Sequence, residues 1–207
     1  MSRHTVAALL ALALALPAAA PLAAQAEGRG LEPDPKTPNT RVGTRGANFL
    51  RWGVGARAQA LGGAYTALAD DVFALYWNPA GAAGIARLSA GYSRADIFGE
   101  AGITHEYVAT ALPALGGVVG VSLNAFDSGD IPLTTADYPQ GGDPTFGSTF
   151  SWTASAIGVH YARFITDRLA VGIAGKAVSE GTSFGQADYV ALDAGVRFRT
   201  GLFGTTI

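Results

Sequence analysis

Cysteine is absent from this 207-residue chain, so an exported form would carry neither a disulfide framework nor a lipid-accepting thiol. Charge is scarce as well. Asp, Glu, Lys and Arg make up 14% of the residues and the net charge is −2 at pH 7, which excludes the basic footprint of a nucleic-acid-binding protein. Beyond residue 26 no apolar stretch reaches the 18 or so residues of a membrane helix, because glycines and polar side chains interrupt every candidate. After His4 only two histidines remain, His105 and His160, with no second imidazole at ligand spacing, and no G-x-S-x-G elbow occurs. Neither a metal centre nor serine hydrolysis is expected. The chain reads as non-enzymatic and without a cofactor.

What is present begins with an export signal. Arg3 is the only charged residue before Glu27, residues 6–16 are apolar, and a small-residue region ends Ala24-Gln25-Ala26. That arrangement predicts a cleavable secretory signal peptide over residues 1–26. Its loss leaves a mature net charge of −3, since Arg3 is the one charge removed. The mature chain is rich in glycine, 28 in all, and too poor in charge for an ordinary water-soluble surface. Export without a membrane helix, combined with this composition, suggests an outer-membrane β-barrel facing outer-membrane lipids.

Residues 27–45 carry Pro33, Pro35 and Pro38 among polar residues and read as an extended leader. A compact, non-strand unit is expected over residues 46–86. Residues 56–69 are helix-permissive despite Gly62 and Gly63, and Asp70 or Asp71 is placed to cap a second short helix that runs through Trp77. Asn78-Pro79 breaks it, because proline lacks an amide donor and biases its predecessor away from helical angles.

Beyond residue 87 the texture turns to alternating segments, at 88–94, 105–112, 116–126, 152–164, 169–179 and 189–200, which predict six β-strands. Residues 113–115 and 165–168 are tight connections while 127–149 is long and polar, the asymmetry of an outer-membrane barrel. Leu169, Val171 and Ile173 alternate with Ala170, Gly172, Ala174 and Lys176, and Val190 to Phe198 alternates in the same way with Asp193, Gly195, Arg197 and Arg199. Lys176, Asp193, Arg197 and Arg199 are therefore expected to face the lumen, because a basic residue exposed to lipid near the midplane costs about 2–4 kcal/mol. Asp70 and Asp71 are candidate partners for them. A soluble β-sandwich would show the same alternation with the faces reversed in meaning. Six strands are fewer than the eight or so of the smallest bacterial barrels, and residues 201–207 resemble a turn and the start of another strand, so a partial chain is expected.

The stretch Gly55-Ala56-Arg57-Ala58-Gln59-Ala60-Leu61-Gly62-Gly63-Ala64-Tyr65, with Ala69-Asp70-Asp71 and Tyr76-Trp77-Asn78-Pro79-Ala80-Gly81, resembles the start of the PorV/PorQ family of outer-membrane proteins, which are similar to FadL-type transporters. Gly129-Asp130-Ile131-Pro132, Tyr161-Ala162-Arg163, Thr166-Asp167-Arg168-Leu169 and Asp193-Ala194-Gly195-Val196 extend the resemblance from about residue 46 to the end. It implies an all-β transmembrane outer-membrane β-barrel of about fourteen strands, of which about six are present in residues 87–207, with an N-terminal helical hatch. It also implies that Asn78, Pro79 and Ala80 belong to the hatch, together with Gly55, Gly62, Gly63, Asp70, Asp71 and Gly81. The functions implied are protein secretion, of which type IX secretion is the best-known instance, or hatch-gated passage of apolar small molecules. Partners would be exported proteins or secretion components. An adaptor that binds exported proteins through its long loop without transport is the alternative.

Three further signals remain. Gly53-Val54-Gly55-Ala56-Arg57-Ala58 matches G-x-G-x-x-A, yet no clear strand precedes it and Asp70 and Asp71 come too early for the acid about 20 positions on, so the glycines are expected to let the hatch pack closely on the wall instead. Trp152, at the start of a strand, is expected to anchor at the membrane interface. Asp127 and Asp130 could bind calcium weakly, although a short acidic loop is usually solvated surface.

Overall fold

The computed structural model describes residues 46–142, 144, 147–182, 184–200 and 206. The expected signal peptide, at 1–26, and the leader, at 27–45, lie outside the described residues, as does the expected turn after residue 200.

Alternation of small or polar with branched apolar residues gives a six-stranded antiparallel meander. Its strands are β1 (Ser89–Ile97), β2 (Ile103–Ala114), β3 (Gly117–Asp127), β6 (Trp152–Phe164), β7 (Leu169–Thr182) and β8 (Gly185–Phe198), hydrogen-bonded in the order β1-β2-β3-β6-β7-β8. Within the long connection β4 (Ile131–Pro132) and β5 (Thr149–Phe150) form a separate two-stranded ribbon that the sequence pattern did not announce. All six expected strands are present. Both members of the last hairpin run further than expected, with the ladder unbroken to the pair Thr182↔Gly185. The reason is chemical: above Ala177 and Val190 the outward residues become polar, so the apolar period fades while the pairing continues. The tight β7–β8 connection consequently lies at the same end of the sheet as the long 128–151 connection, and the expected separation of short turns from long loops holds only at the other end. There β2 and β3 are joined through Leu115 and Gly116, both at positive φ (56° and 72°), the two-residue turn whose twist matches paired strands. Thr206 forms an antiparallel bridge with Arg199.

Register lines up rows of like chemistry on the outward face. Tyr92, Val108, Leu123, Ile157, Ala177 and Val190 are consecutive partners in one row. The next row is Ala90, Thr110, Val121, Val159, Gly175 and Leu192, and below it come Leu112, Val119, Tyr161, Ile173 and Ala194. These branched side chains are exposed, Leu192 at 83% and Val190 at 72%, and among the described residues no second sheet covers them. A sandwich would bury them. The opposite face is the buried one and is mostly small or polar, with Ala109, Ala111, Ser122, Asn124, Ala156, His160, Ala162, Ala170 and Ala174, together with the larger Tyr107, Val118, Phe126 and Val178.

That block runs from a 3-10 turn (Asn48–Arg51) through helix α1 (Ala56–Ala60), helix α2 (Ala74–Trp77) and a 3-10 segment (Pro79–Gly84). The expected helix over 56–69 is thus only five residues long. Gly62 N–H donates to Gln59 O and Gly63 N–H to Ala58 O, with both glycines at positive φ, which is a Schellman ending that the glycine pair imposes. The second helix starts later than expected, with Phe73 at its N-cap and no side-chain cap bond, so the expected cap from Asp70 or Asp71 is corrected: the Asp71 Oδ1 accepts from the Phe73 N–H at 2.9 Å, in the turn that leads into the helix. Among the described residues no helix is long and apolar enough to cross a membrane, which leaves strands unaddressed.

Candidate functional site

The site is the seat of the N-terminal block on the small-residue face of the sheet. At its centre Asn78 stands extended between α2 and the 3-10 segment, at φ −161° and ψ 102°, and works in three directions. Its Oδ1 accepts from the Ala80 N–H at 3.1 Å, capping the segment that Pro79 opens, while its Nδ2 donates to Thr66 O and to Val196 O of β8, each at 3.1 Å. One side chain therefore ties together the block's loop, its last helical turn and the wall.

The sheet receives this element through missing side chains. Gly172 and Gly195 are direct partners on β7 and β8. A Cβ on Gly172 would fall within the backbone of Pro79 and Ala80, and one on Gly195 would collide with the Asn78 amide. Gly91 likewise receives Val72 and Gly120 receives Leu75, with a Cβ at either meeting a methyl group at 2.6 Å. The expectation that glycines of the block secure the close packing is corrected here. Gly55, Gly62 and Gly63 supply positive-φ turns, and Gly62 touches nothing within 4 Å; the close approach comes from the wall's glycines. Three glycines of the block are also tightly placed: a Cβ on Gly46 would meet Tyr189 and Glu180 of the sheet, one on Gly53 the Trp77 ring, and one on Gly81 the Ala69 carbonyl.

An aromatic and polar layer adjoins the glycine seat. Tyr76, on α2, places its hydroxyl 2.6 Å from both Leu50 O and Trp52 O, so its one proton is shared between the two carbonyls, and it stacks edge-on against Tyr107 of β2. Burial holds the Tyr76 hydroxyl well above the ordinary phenol range. Trp77 donates to Val54 O at 2.9 Å and meets Tyr65 edge-to-face. On the wall, His105 pairs with Asn124 at 2.7 Å and His160 with Ser122 at 2.8 Å. Both rings face inward, but they are not fully satisfied as expected, since His160 Nδ1 and Asn124 Nδ2 are buried without a partner among the described residues; the described residues contain no group of three or more metal-ligating side chains.

Lys176, Asp193, Arg197 and Arg199, expected to face a lumen, share the register parity of the sheet face that carries the N-terminal block, and their partners differ from those expected. Lys176 pairs with Asp193 at 2.5 Å across β7 and β8, and it reaches the block only through the Tyr76 ring, 5.8 Å from its centroid. Asp70 and Asp71 instead pair with Arg57 inside the block, at 2.8 and 3.8 Å. The Tyr65 hydroxyl stands between them, donating to Asp71 at 2.8 Å and accepting from Arg57 at 3.2 Å. Burial, reinforced by Asp71, pushes that hydroxyl up to about 12. Local pairing prevails because the Schellman turn folds residues 57 and 70 onto one edge, away from β8. Arg197 leaves its Nε buried without a partner, and Arg199 lies over the Phe164 ring at 5.7 Å.

Trp152 is a second correction. Its register parity is that of Ala154 and Ala156, so it faces inward, 5.0 Å from Phe126 and 6.5 Å from Phe49, in an aromatic cluster that holds the start of the block. The Ala47 N–H donates to Glu180 beside it at 2.9 Å. Sequence reasoning missed Tyr76, Gly91 and Gly120. The glycines were visible as gaps in alternating strands, a recognised sign of close backbone approach. The G-x-G-x-x-A match is preceded by a 3-10 turn rather than a strand, which removes the dinucleotide reading. Asp127 is used locally, accepting from the Gly129 N–H at 2.8 Å. No family model, no curated protein and no solved structure matches the chain.

Proposed function

We propose that the sheet is wall, and the 46–86 block hatch, of a non-enzymatic outer-membrane β-barrel of PorV/PorQ (FadL-like) type, reached through a cleavable signal peptide and acting in protein secretion or hatch-gated passage of apolar molecules. One observation carries this reading: the two faces are inverted relative to a soluble sheet. Branched apolar side chains are exposed in register across six strands, while small and polar residues are buried beneath the hatch. The apolar span along β8, from Val190 to Phe198, is about 27 Å of strand, or roughly 21 Å when tilted by about 40°, which suits the apolar band of about 25 Å on an outer-membrane barrel.

Hatch gating follows from the mixed character of the seat. A dry contact at Gly172 and Gly195 fixes the Asn78 element, while polar contacts at Tyr76 and Lys176 exchange readily for water. Deleting residues 55–81 from the full chain removes the occluding element. In planar bilayers the deletion is expected to raise single-channel conductance well above that of the parent, and an unchanged conductance refutes gating. The adaptor reading is favoured by the β4–β5 ribbon, which gives the long connection a shape of its own and exposes Ile131 and Tyr138. Crosslinking from Tyr138 in intact cells to an exported protein, with conductance unaffected by the deletion, supports the adaptor instead.

A further inference from the structure

Where the outward apolar rows end, toward the long connection, the sheet turns polar within a single step. The row directly above Tyr92, Val108 and Leu123 is Arg94, Glu106, Ala125, Ser155, Ser179 and Asp188 in consecutive register. The row above that is Asp96, Thr104, Asp127, Thr153, Gly181 and Gln186. Side chains of both rows line a groove of about 460 Å³. Ala125 and Gly181 are the shortest residues of their rows and make its floor low between taller hydroxyl-bearing neighbours.

The lining has a definite chemistry. Arg94 is spent on Asp96 at 3.1 Å and Glu106 at 2.9 Å, so the groove offers no free cation. Thr104, Thr153 and Ser155 make no side-chain hydrogen bond among the described residues. Hydroxyls that both donate and accept, carboxylates that accept and the Gln186 carbonyl oxygen, whose amide nitrogen is held by Ser179 and Asp188, suit a neutral polyol, whereas a phosphate would meet Glu106 and Asp127 with no counter-charge to hold it. Immediately below, the apolar rows offer a surface for hydrocarbon. We infer that this groove binds the sugar headgroup of a neutral membrane glycolipid, whose acyl chains lie along the Val108–Leu123–Ile157 rows. The inference rests on the membrane reading above.

The test uses the full chain in nanodiscs of phosphatidylcholine doped with digalactosyl diacylglycerol, phosphatidylglycerol or lipid A, with lipid retained per protein counted by native mass spectrometry. The parent should retain digalactosyl diacylglycerol in preference to the two anionic lipids. The double variant Thr153→Val, Ser155→Ala changes only outward side chains, clear of the hatch, and should lower that retention about tenfold, as two lost hydrogen bonds of roughly 0.7 kcal/mol each require. Equal retention by parent and variant overturns the groove, and so does preference for phosphatidylglycerol or lipid A. Failure of the chain to insert into any bilayer overturns the membrane reading and the groove with it; insertion with no glycolipid preference overturns the groove alone.

Discussion

Replacing Gly172 by alanine should dislodge the hatch while leaving the wall intact. The new Cβ would lie inside van der Waals contact with the backbone of Pro79 and Ala80, with the Pro79 carbonyl oxygen 2.8 Å away, and backbone cannot rotate aside as a flexible side chain does. The Asn78 element must retreat. Overpacking of this kind costs about 1–3 kcal/mol, and the retreat also stretches the Asn78 bond to Val196 O, worth about 1 kcal/mol. A combined loss of about 3 kcal/mol raises the detached fraction of hatch roughly a hundredfold. Gly175→Ala is the control on the same strand: it points outward, and its Cβ would meet only the Leu192 Cδ2 at 3.8 Å. It also shares any gain from restricting the unfolded chain. Trypsin reads the difference, because Arg51 and Arg57 lie on the hatch and cleavage of an opened segment follows its equilibrium population when reclosing is fast. Gly172→Ala should be cut at Arg57 about a hundred times faster than the parent, with Gly175→Ala within twofold of it. Equal rates for the two variants would refute the idea that the hatch seats on the missing side chain.

The lipid assignment of the outward face predicts a depth dependence: Leu192→Arg should lower the stability of the chain in lipid vesicles by about 2–4 kcal/mol and Ser179→Arg by no more than about 1, read by urea unfolding, and a uniform effect contradicts it. Alkali should loosen the hatch through Tyr65. A phenol raised from 10 to about 12 on folding contributes stability that is fully present below pH 10 and is lost as the pH climbs from 10 to 12. Near-ultraviolet circular dichroism should therefore change in that window for the parent and less for Tyr65→Phe, with the variant losing one tyrosine's share of the absorbance that develops between pH 10 and 12; coincident curves would deny Tyr65 this role.

The sequence by itself determined the elements whose cause is local or periodic. Period-two alternation located all six long strands, because alternate side chains must meet different surroundings on the two faces of a sheet. Asn78-Pro79 marked a break, whereas the stretch through Gly62-Gly63 reads as helix-permissive and its stop emerged only in the structure. The inward placement of Lys176, Asp193 and Arg197 followed from parity alone. Only the tertiary structure decided which partners meet. Asp70 and Asp71 turned to Arg57 because a turn brought that guanidinium near, a contact no spacing rule separates from one to β8. Trp152 went inward because pairing with β3 and β7 set its parity, and an aromatic at a strand end suits an interface or a core equally well until that register is known. The seat of the hatch was the least legible, since its main determinant is absent matter: Gly172 and Gly195, 23 residues apart in sequence, become one notch only when β7 and β8 pair them face to face.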